Sequence, residues 1–150
     1  MERIASFCVD HEKLQKGIYI SRIDGDIVTY DIRMKKPNAE PVMDNAPIHT
    51  IEHLFATYAR NSAEKEHVIY FGPMGCRTGF YFLCRDLPHE RALTLMKNAF
   101  LFIAQYEGEI PGTTAKECGN YKDHDLAGAK MLAATFYPVI QNWTADDLSY

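Results

Sequence analysis

Apolar and polar residues alternate through GIYISRIDGDIVTYDIRM, residues 17–34, on both sides of an Asp24-Gly25 pair. Alternation with a period of two is typical of a strand with one buried face, and Asp-Gly between two such runs indicates a hairpin. The segments HVIYFG (67–72) and GFYFLC (79–84) are two more apolar runs, joined by a short connection built on Pro73 and Gly75. The pattern therefore predicts four strands arranged as two hairpins.

Three other segments have apolar residues at helical spacing. The first begins near Pro47, a residue favoured in the first turn of a helix, and its apolar positions are Ile48, Ile51, Phe55 and Tyr58. The second spans about residues 88–106 and ends at Gly108, and the third covers residues 124–137 and stops before Pro138. Because the strands form hairpins instead of alternating with the helices, the predicted fold class is α+β, with helices packed on one face of an antiparallel sheet.

The 150 residues are predicted to form a single domain, 1–150, of ordinary globular composition, with 47% apolar and 24% charged residues. A net charge of −4 without a basic stripe argues against a nucleic-acid partner. No segment has the apolar length of a signal peptide or a membrane span, so we expect a cytoplasmic protein without a membrane partner. Its four cysteines form no CxxC pair, and in a reducing compartment they are expected to be free thiols.

The first predicted helix contains the motif His49-Thr50-Ile51-Glu52-His53. Successive helical residues are separated by about 100°, so His49 and His53 lie about 40° apart on one face. Two imidazoles at this spacing can bind one metal ion, and Glu52 lies close enough to act as a general acid or base, as in inverted zincins. The alternative is a helix with two surface histidines and a solvated glutamate.

A catalytic mononuclear site usually has three protein ligands and one open position. The candidates for the third ligand are Cys118, His124, Cys76, Glu64 and His67. Cys118 is distinctive because it precedes a glycine in a polar loop, where an apolar filler is not needed. A His₂Cys site suits Zn(II), Fe(II) or Co(II).

Six segments resemble the S-ribosylhomocysteine lyase (LuxS, autoinducer-2 synthase) family, in the family's order and over nearly the whole chain. They are SFCVDH (6–11), DIRMKKPN (31–38), HTIEH (49–53), PMGCRTGFY (73–81), KECG (116–119) and HDLAGAK (124–130). The resemblance implies a homodimer with a four-stranded antiparallel sheet. It also implies a metal bound by His49, His53, Cys118 and water, usually Fe(II), with Zn(II) or Co(II) as substitutes.

The resemblance further assigns Cys76 as the catalytic thiolate and Glu52 as a second acid or base. Ser6, His11 and Arg33 match positions that contact the substrate from the neighbouring subunit. The implied reaction cleaves S-ribosylhomocysteine to homocysteine and 4,5-dihydroxy-2,3-pentanedione, the autoinducer-2 precursor of quorum sensing and a product of methyl-cycle recycling. It proceeds by two carbonyl migrations and a β-elimination.

The chain departs from the family pattern at Tyr70-Phe71-Gly72, where an acid and a serine are common, at Arg77 in place of glutamine, and at Ala127 in place of glutamate. None of these removes a ligand or a catalytic group. Two other classes explain part of the pattern. An inverted-zincin metallohydrolase would use His49, Glu52 and His53 but leave Cys76 without a role, and a catalytically silent metal-binding module would need neither Cys76 nor Glu52.

Overall fold

The computed structural model describes all 150 residues as one α+β domain. It has four strands, β1 (Gly17–Asp24), β2 (Ile27–Arg33), β3 (Val68–Pro73) and β4 (Gly79–Arg85). It also has three helices, α1 (Asn45–Asn61), α2 (His89–Ala104) and α3 (Leu126–Ile140). Helix α1 lies between the two hairpins in the chain, and α2 and α3 follow the second hairpin. Short 3₁₀ turns lie at Ala5–Phe7, Lys65–His67 and Ala145–Asp147. The strands form one antiparallel sheet in the order β1-β2-β4-β3.

The two hairpins form where the alternation predicted them. Asp24 pairs with Ile27, so residues 25 and 26 are the whole connection between β1 and β2. Gly25 has a φ of +62°, a conformation that two-residue hairpin turns require and that glycine adopts without a steric cost. In the second hairpin, β3 and β4 are joined by the five-residue turn 74–78. This turn carries Cys76.

The period-two pattern gives the sheet two different faces. Tyr30 pairs with Phe82 and Ile32 pairs with Phe80, and all four side chains are fully buried in the core beneath the helices. The alternate residues of β2 point to the opposite face. Asp31 and Arg33, which are 1% and 2% exposed, lie there beside Tyr19 and Tyr81. The face away from the helices therefore contains a buried charged pair.

Aromatic side chains connect the sheet to the helices. The Phe55 ring of α1 stacks on Phe71 of β3 with a centroid separation of 3.8 Å and meets Phe100 of α2 at 5.7 Å. Phe100 in turn meets Phe136 of α3 at 5.0 Å. Truncating one such buried ring to alanine typically costs about 3–5 kcal/mol of stability. This packing fixes α1, the helix that carries the histidine pair.

The strands match the predicted segments closely, whereas helix α3 differs from the predicted segment 124–137 at both ends. Helix α3 begins at Leu126 because the Asp125 side chain accepts a hydrogen bond from the Gly128 amide and caps the helix. The predicted stop before Pro138 is wrong, since α3 continues to Ile140. Pro138 lies in the last turn, where it removes one backbone hydrogen bond, and the fully buried Ile140 side chain stabilises that turn by packing. None of the helices combines the length and the apolar character that crossing a membrane demands.

Candidate metal centre and thiol pocket

Four potential metal ligands converge beside the N-terminal half of α1. His49 and His53 come from the helix, and Cys118 and His124 come from the irregular segment 105–125 between α2 and α3. One donor atom from each residue lies within 4.8 Å of the donor atoms of the other three, and all four residues are half-buried. The Cys118 sulfur is 3.4 Å from Nε2 of His49. Predicted ligands separated by up to 69 residues are thus neighbours.

Backbone carbonyls fix the orientation of both helix histidines. Nδ1 of His49 lies 2.8 Å from the carbonyl oxygen of Asp123, and Nδ1 of His53 lies 2.8 Å from that of Pro111. A carbonyl can only accept, so each Nδ1 carries the proton and donates it. In the neutral imidazole, Nε2 then carries the free lone pair. This tautomer is the one that metal-binding histidines adopt when their second nitrogen is hydrogen-bonded.

Gly112 allows the Pro111 carbonyl to reach His53. Its φ of +73° is rarely adopted by residues with a Cβ, and a Cβ built there would lie 3.2 Å from Nδ1 of His53. The loop thus passes too close to the imidazole for a side chain to fit without displacement. Glycine is required here both for backbone conformation and for space.

His124, one of the five sequence candidates for the third ligand, also belongs to the cluster. Its Nδ1 lies 3.0 Å from the buried hydroxyl of Thr50, its ring stacks on that of His49, and its Nε2 is buried without a hydrogen-bond partner. Burial, together with His49 and His53 nearby, lowers the pKa of His124 to about 4. His124 is therefore a neutral third imidazole. No periodicity in the loop indicated it, because its contact with Thr50 spans 74 residues.

The donor set fits a divalent metal. It offers imidazole nitrogens with free lone pairs and one thiol, the ligands that suit Zn(II), Fe(II) and Co(II). Glu52 lies on the same helix between the two histidines and is half-buried. Its carboxylate forms no hydrogen bond or ion pair with another side chain, so both oxygens are available for proton exchange.

Cys76 lies in a separate cavity of about 310 Å³. The lining includes the three residues predicted to contact substrate, Ser6, His11 and Arg33, and the Arg33 guanidinium is 3.9 Å from the Cys76 sulfur. None of the four cluster residues lines this cavity. The resemblance implies that Ser6, His11 and Arg33 reach the substrate from the neighbouring subunit. In the structure Cys76 and those three lie together on one chain.

The charge of Arg33 is held by a buried carboxylate. Asp31 accepts two hydrogen bonds from the guanidinium, at 3.1 and 2.7 Å, and the side chains are only 1% and 3% exposed. Burial would lower the pKa of Arg33, but its bonds and ion pair with Asp31 outweigh that effect and raise it. The thiol pocket therefore contains a permanent positive charge.

The three departures from the family pattern lie outside both sites. Arg77 has a φ of +59°, and its guanidinium reaches the carbonyl oxygen of Met43 at 3.5 Å instead of lining the Cys76 cavity. Phe71 fills the core between Phe55 and Phe80. Ala127 is exposed on α3.

Comparison with known proteins matches residues 4–147 to the family model described as S-Ribosylhomocysteinase (LuxS). Among curated relatives, the S-ribosylhomocysteine lyase of Finegoldia magna is 51% identical, with 100% of this chain and 99% of that protein covered. The lyases of Clostridium acetobutylicum and Borreliella burgdorferi are 48% and 44% identical at the same coverage. The likeness extends over the full length of each protein.

Proposed function

Because this chain belongs to the S-ribosylhomocysteinase (LuxS) family, we propose that it is a lyase that cleaves the thioether of S-ribosylhomocysteine. The products would be homocysteine and 4,5-dihydroxy-2,3-pentanedione. One observation carries the proposal: the chain contains both groups that the reaction requires. His49, His53 and Cys118 can bind a metal, and the Cys76 thiol lines a cavity together with the buried Arg33 guanidinium. A hydrolase or a silent metal-binding module would leave that thiol without a role.

The chemistry explains why the site needs these groups. Sulfur can leave C5 only after the neighbouring C4 has lost a proton, and C4 becomes acidic when the carbonyl is at C3. The carbonyl must therefore move from C1 to C2 and then to C3. A divalent ion bound by His49, His53 and Cys118 would act as a Lewis acid toward the carbonyl. We propose Fe(II) as this ion, with Zn(II) or Co(II) as substitutes.

Proton transfer falls to two side chains. We assign Cys76, as thiolate, to remove protons from carbon, since its sulfur lies 3.9 Å from the Arg33 guanidinium, a cation that can pair with a thiolate. Glu52 exchanges protons with the substrate oxygens, because its carboxylate has no protein partner. In the last step the C4–H electron pair forms the new double bond and the C5–S bond breaks. The leaving sulfur takes a proton from Glu52, and no redox partner is needed.

Ser6, His11 and Arg33 would bind the substrate beside the thiol. The three line the same cavity as Cys76, and Arg33 offers a fixed positive charge to the polar groups of the amino-acid portion. A volume of about 310 Å³ is at the small end of the range for ligand pockets. The rest of the substrate would extend toward the metal.

The functional unit would be a homodimer. The Cys76 cavity of one chain contains no cluster residue, so a second copy that presents its metal cluster to this cavity would complete the site. Phe7, which lines that cavity, and Ile4, three residues before it, are 65% and 57% exposed and would be covered in such a dimer. A cytoplasmic location belongs to the same proposal, since a reducing compartment keeps the ligand and catalytic thiols free.

The activity is tested by adding S-ribosylhomocysteine to protein purified without oxygen and measuring free thiol release and bound metal. Wild-type protein should release thiol, chelation should stop the release, and Cys76→Ala should abolish it while retaining the metal. The exposed Cys8 supplies the matched control, because Cys8→Ala should keep full activity. Thiol release by Cys76→Ala at the wild-type rate would exclude the assignment of Cys76.

The dimer is tested by co-expressing Cys76→Ala and His53→Ala chains that carry different tags. About half of the dimers are then mixed, and one of the two sites in each has an intact thiol and an intact metal cluster, so about a quarter of wild-type activity should return. If each chain instead combines its own thiol with its own metal, no mixed dimer has a complete site. No recovery of activity in verified mixed dimers would refute the shared site.

A further inference from the structure

The hydroxyl of Thr78 lies between Arg33 and Cys76. Its Oγ1 atom is 2.8 Å from Nη1 of Arg33 and 3.0 Å from the sulfur of Cys76, and Thr78 is only 4% exposed. The direct approach of the Arg33 guanidinium to the sulfur is longer, at 3.9 Å. Thr78 is therefore the nearest polar contact of the thiol.

The direction of these hydrogen bonds follows from the donors. A guanidinium has no acceptor atom, so Arg33 donates to Thr78 Oγ1. The hydroxyl has a single proton, and that proton is then free to point toward the Cys76 sulfur. A donor held in this orientation stabilises a thiolate more than a neutral thiol, because hydrogen bonds to charged acceptors are the stronger ones.

The Arg33 guanidinium, which donates to Thr78, is itself held in place by hydrogen bonds. Arg33 is fixed by its two bonds to Asp31, and Asp31 also accepts a hydrogen bond from the hydroxyl of Tyr150, the last residue of the chain. Asp31 thus accepts from both Tyr150 and Arg33, and the Thr78 oxygen accepts from Arg33. Besides Arg33, the Thr78 hydroxyl has one hydrogen-bond partner, the Cys76 sulfur, and this sulfur is therefore the acceptor available to its proton.

We propose that Thr78 is a positioning residue for Cys76, relaying the charge of Arg33 through its hydroxyl and holding the sulfur toward the cavity. The inference rests on the proposed role of Cys76 and adds a residue to it. Thr78 does not line the cavity, so it acts on the reaction through the two lining residues that it contacts, Cys76 and Arg33. The ionisable side chains that line the cavity with Cys76 are His11, Arg33 and Tyr81, and none of them is replaced in a Thr78 variant.

The test compares Thr78→Val, which keeps the shape and removes the hydroxyl, with Thr78→Ser, which keeps the hydroxyl. The first readout is the rate at which iodoacetamide alkylates Cys76 at one fixed pH, measured by mass spectrometry of the Cys76 peptide. Cys8 in the same sample is the internal reference. Loss of a hydrogen bond to a charged group should slow alkylation of Cys76 by about 10–100-fold in the valine variant, with little change in the serine variant.

Kinetics give a second readout. Thr78→Val should lower kcat for thiol release by about 10-fold or more with a smaller change in KM and unchanged metal content, and Thr78→Ser should retain most of the activity. Should the valine variant not fold, Thr78→Ala supports the same comparison with serine. Equal loss in the serine and valine variants, or unchanged alkylation of Cys76 in Thr78→Val, would overturn the inference.

Alkylation needs no substrate, so the two proposals can fail separately. Wild-type protein that releases no thiol, combined with slow alkylation of Cys76 in Thr78→Val, would refute the lyase proposal and support the positioning role. Wild-type protein that releases thiol, combined with alkylation unaffected by the valine, would support the lyase proposal and refute the positioning role.

Discussion

Replacing Gly112 by alanine should weaken metal binding although residue 112 is not a ligand. A non-glycine residue at a φ of +73° costs about 1–2 kcal/mol, and the new Cβ would lie 3.2 Å from Nδ1 of His53. The loop or the imidazole must then move, and the 2.8 Å bond from His53 to the Pro111 carbonyl lengthens or breaks. Loss of such a supporting bond typically lowers metal affinity by about 10–100-fold. We expect that range here.

The assay is competition for Co(II) or Zn(II) with a chromophoric chelator, together with thermal unfolding of the metal-free protein. Gly108→Ala is the matched control. Gly108 belongs to the same loop and has a φ of +111°, but a Cβ built there has no atom within 4 Å. The control should therefore show the backbone cost in its melting temperature without the loss of metal affinity. Equal metal affinity in Gly112→Ala and wild type, or equal weakening in both variants, would refute the argument that the Pro111 carbonyl orients His53.

Three further predictions concern residues outside the metal centre. Asp31→Asn should lower the free energy of unfolding, measured by urea titration, by about 3–5 kcal/mol, because it leaves the buried Arg33 charge unpaired. The control Asp24→Asn removes an exposed ion pair with Arg22 and should have little effect. Burial raises the pKa of Cys84 to about 11, so the folded thiol keeps its proton where the unfolded thiol loses it. Stability should therefore fall as pH rises from about 8.5 toward 11, and the stability difference between wild type and Cys84→Ala should narrow over that interval; a constant difference would contradict the burial argument. Arg77→Gln should change kcat/KM by less than about threefold, since Arg77 contacts Met43 and not the thiol cavity, and a larger loss would show that it acts on the site.

The elements with local patterns could be predicted from the sequence. The Asp24-Gly25 hairpin follows from alternation and turn chemistry, which involve neighbouring residues only. The pairing of His49 with His53 follows from helical spacing, because a helix fixes which residues share a face. Helix α3 departs from its prediction at Pro138 because the buried Ile140 stabilises one more turn, and this tertiary contact leaves no local signal.

The rest of the metal centre depends on contacts across long sequence separations. The carbonyls that orient His49 and His53 belong to Asp123 and Pro111, 74 and 58 residues away. A backbone carbonyl has no sequence signature, so no residue pattern could identify these acceptors. His124 could be named only as one of five candidates for the third ligand for the same reason. Its contacts with Thr50 and His49, 74 and 75 residues away, bring it to the helix.

The metal ligands and the Cys76 thiol are held by different parts of the fold. The metal ligands are oriented by α1 and the loop 105–125, whereas Cys76 is held by Thr78 and Arg33 on the sheet face away from the helices. A change that disturbs one support should leave the other intact. Gly112→Ala should therefore weaken metal binding without changing Cys76 alkylation, and Thr78→Val should slow alkylation without changing metal affinity. Loss of both properties in either variant would mean that the two supports are coupled, through the dimer or through the core, and would contradict the independent construction argued from the single chain.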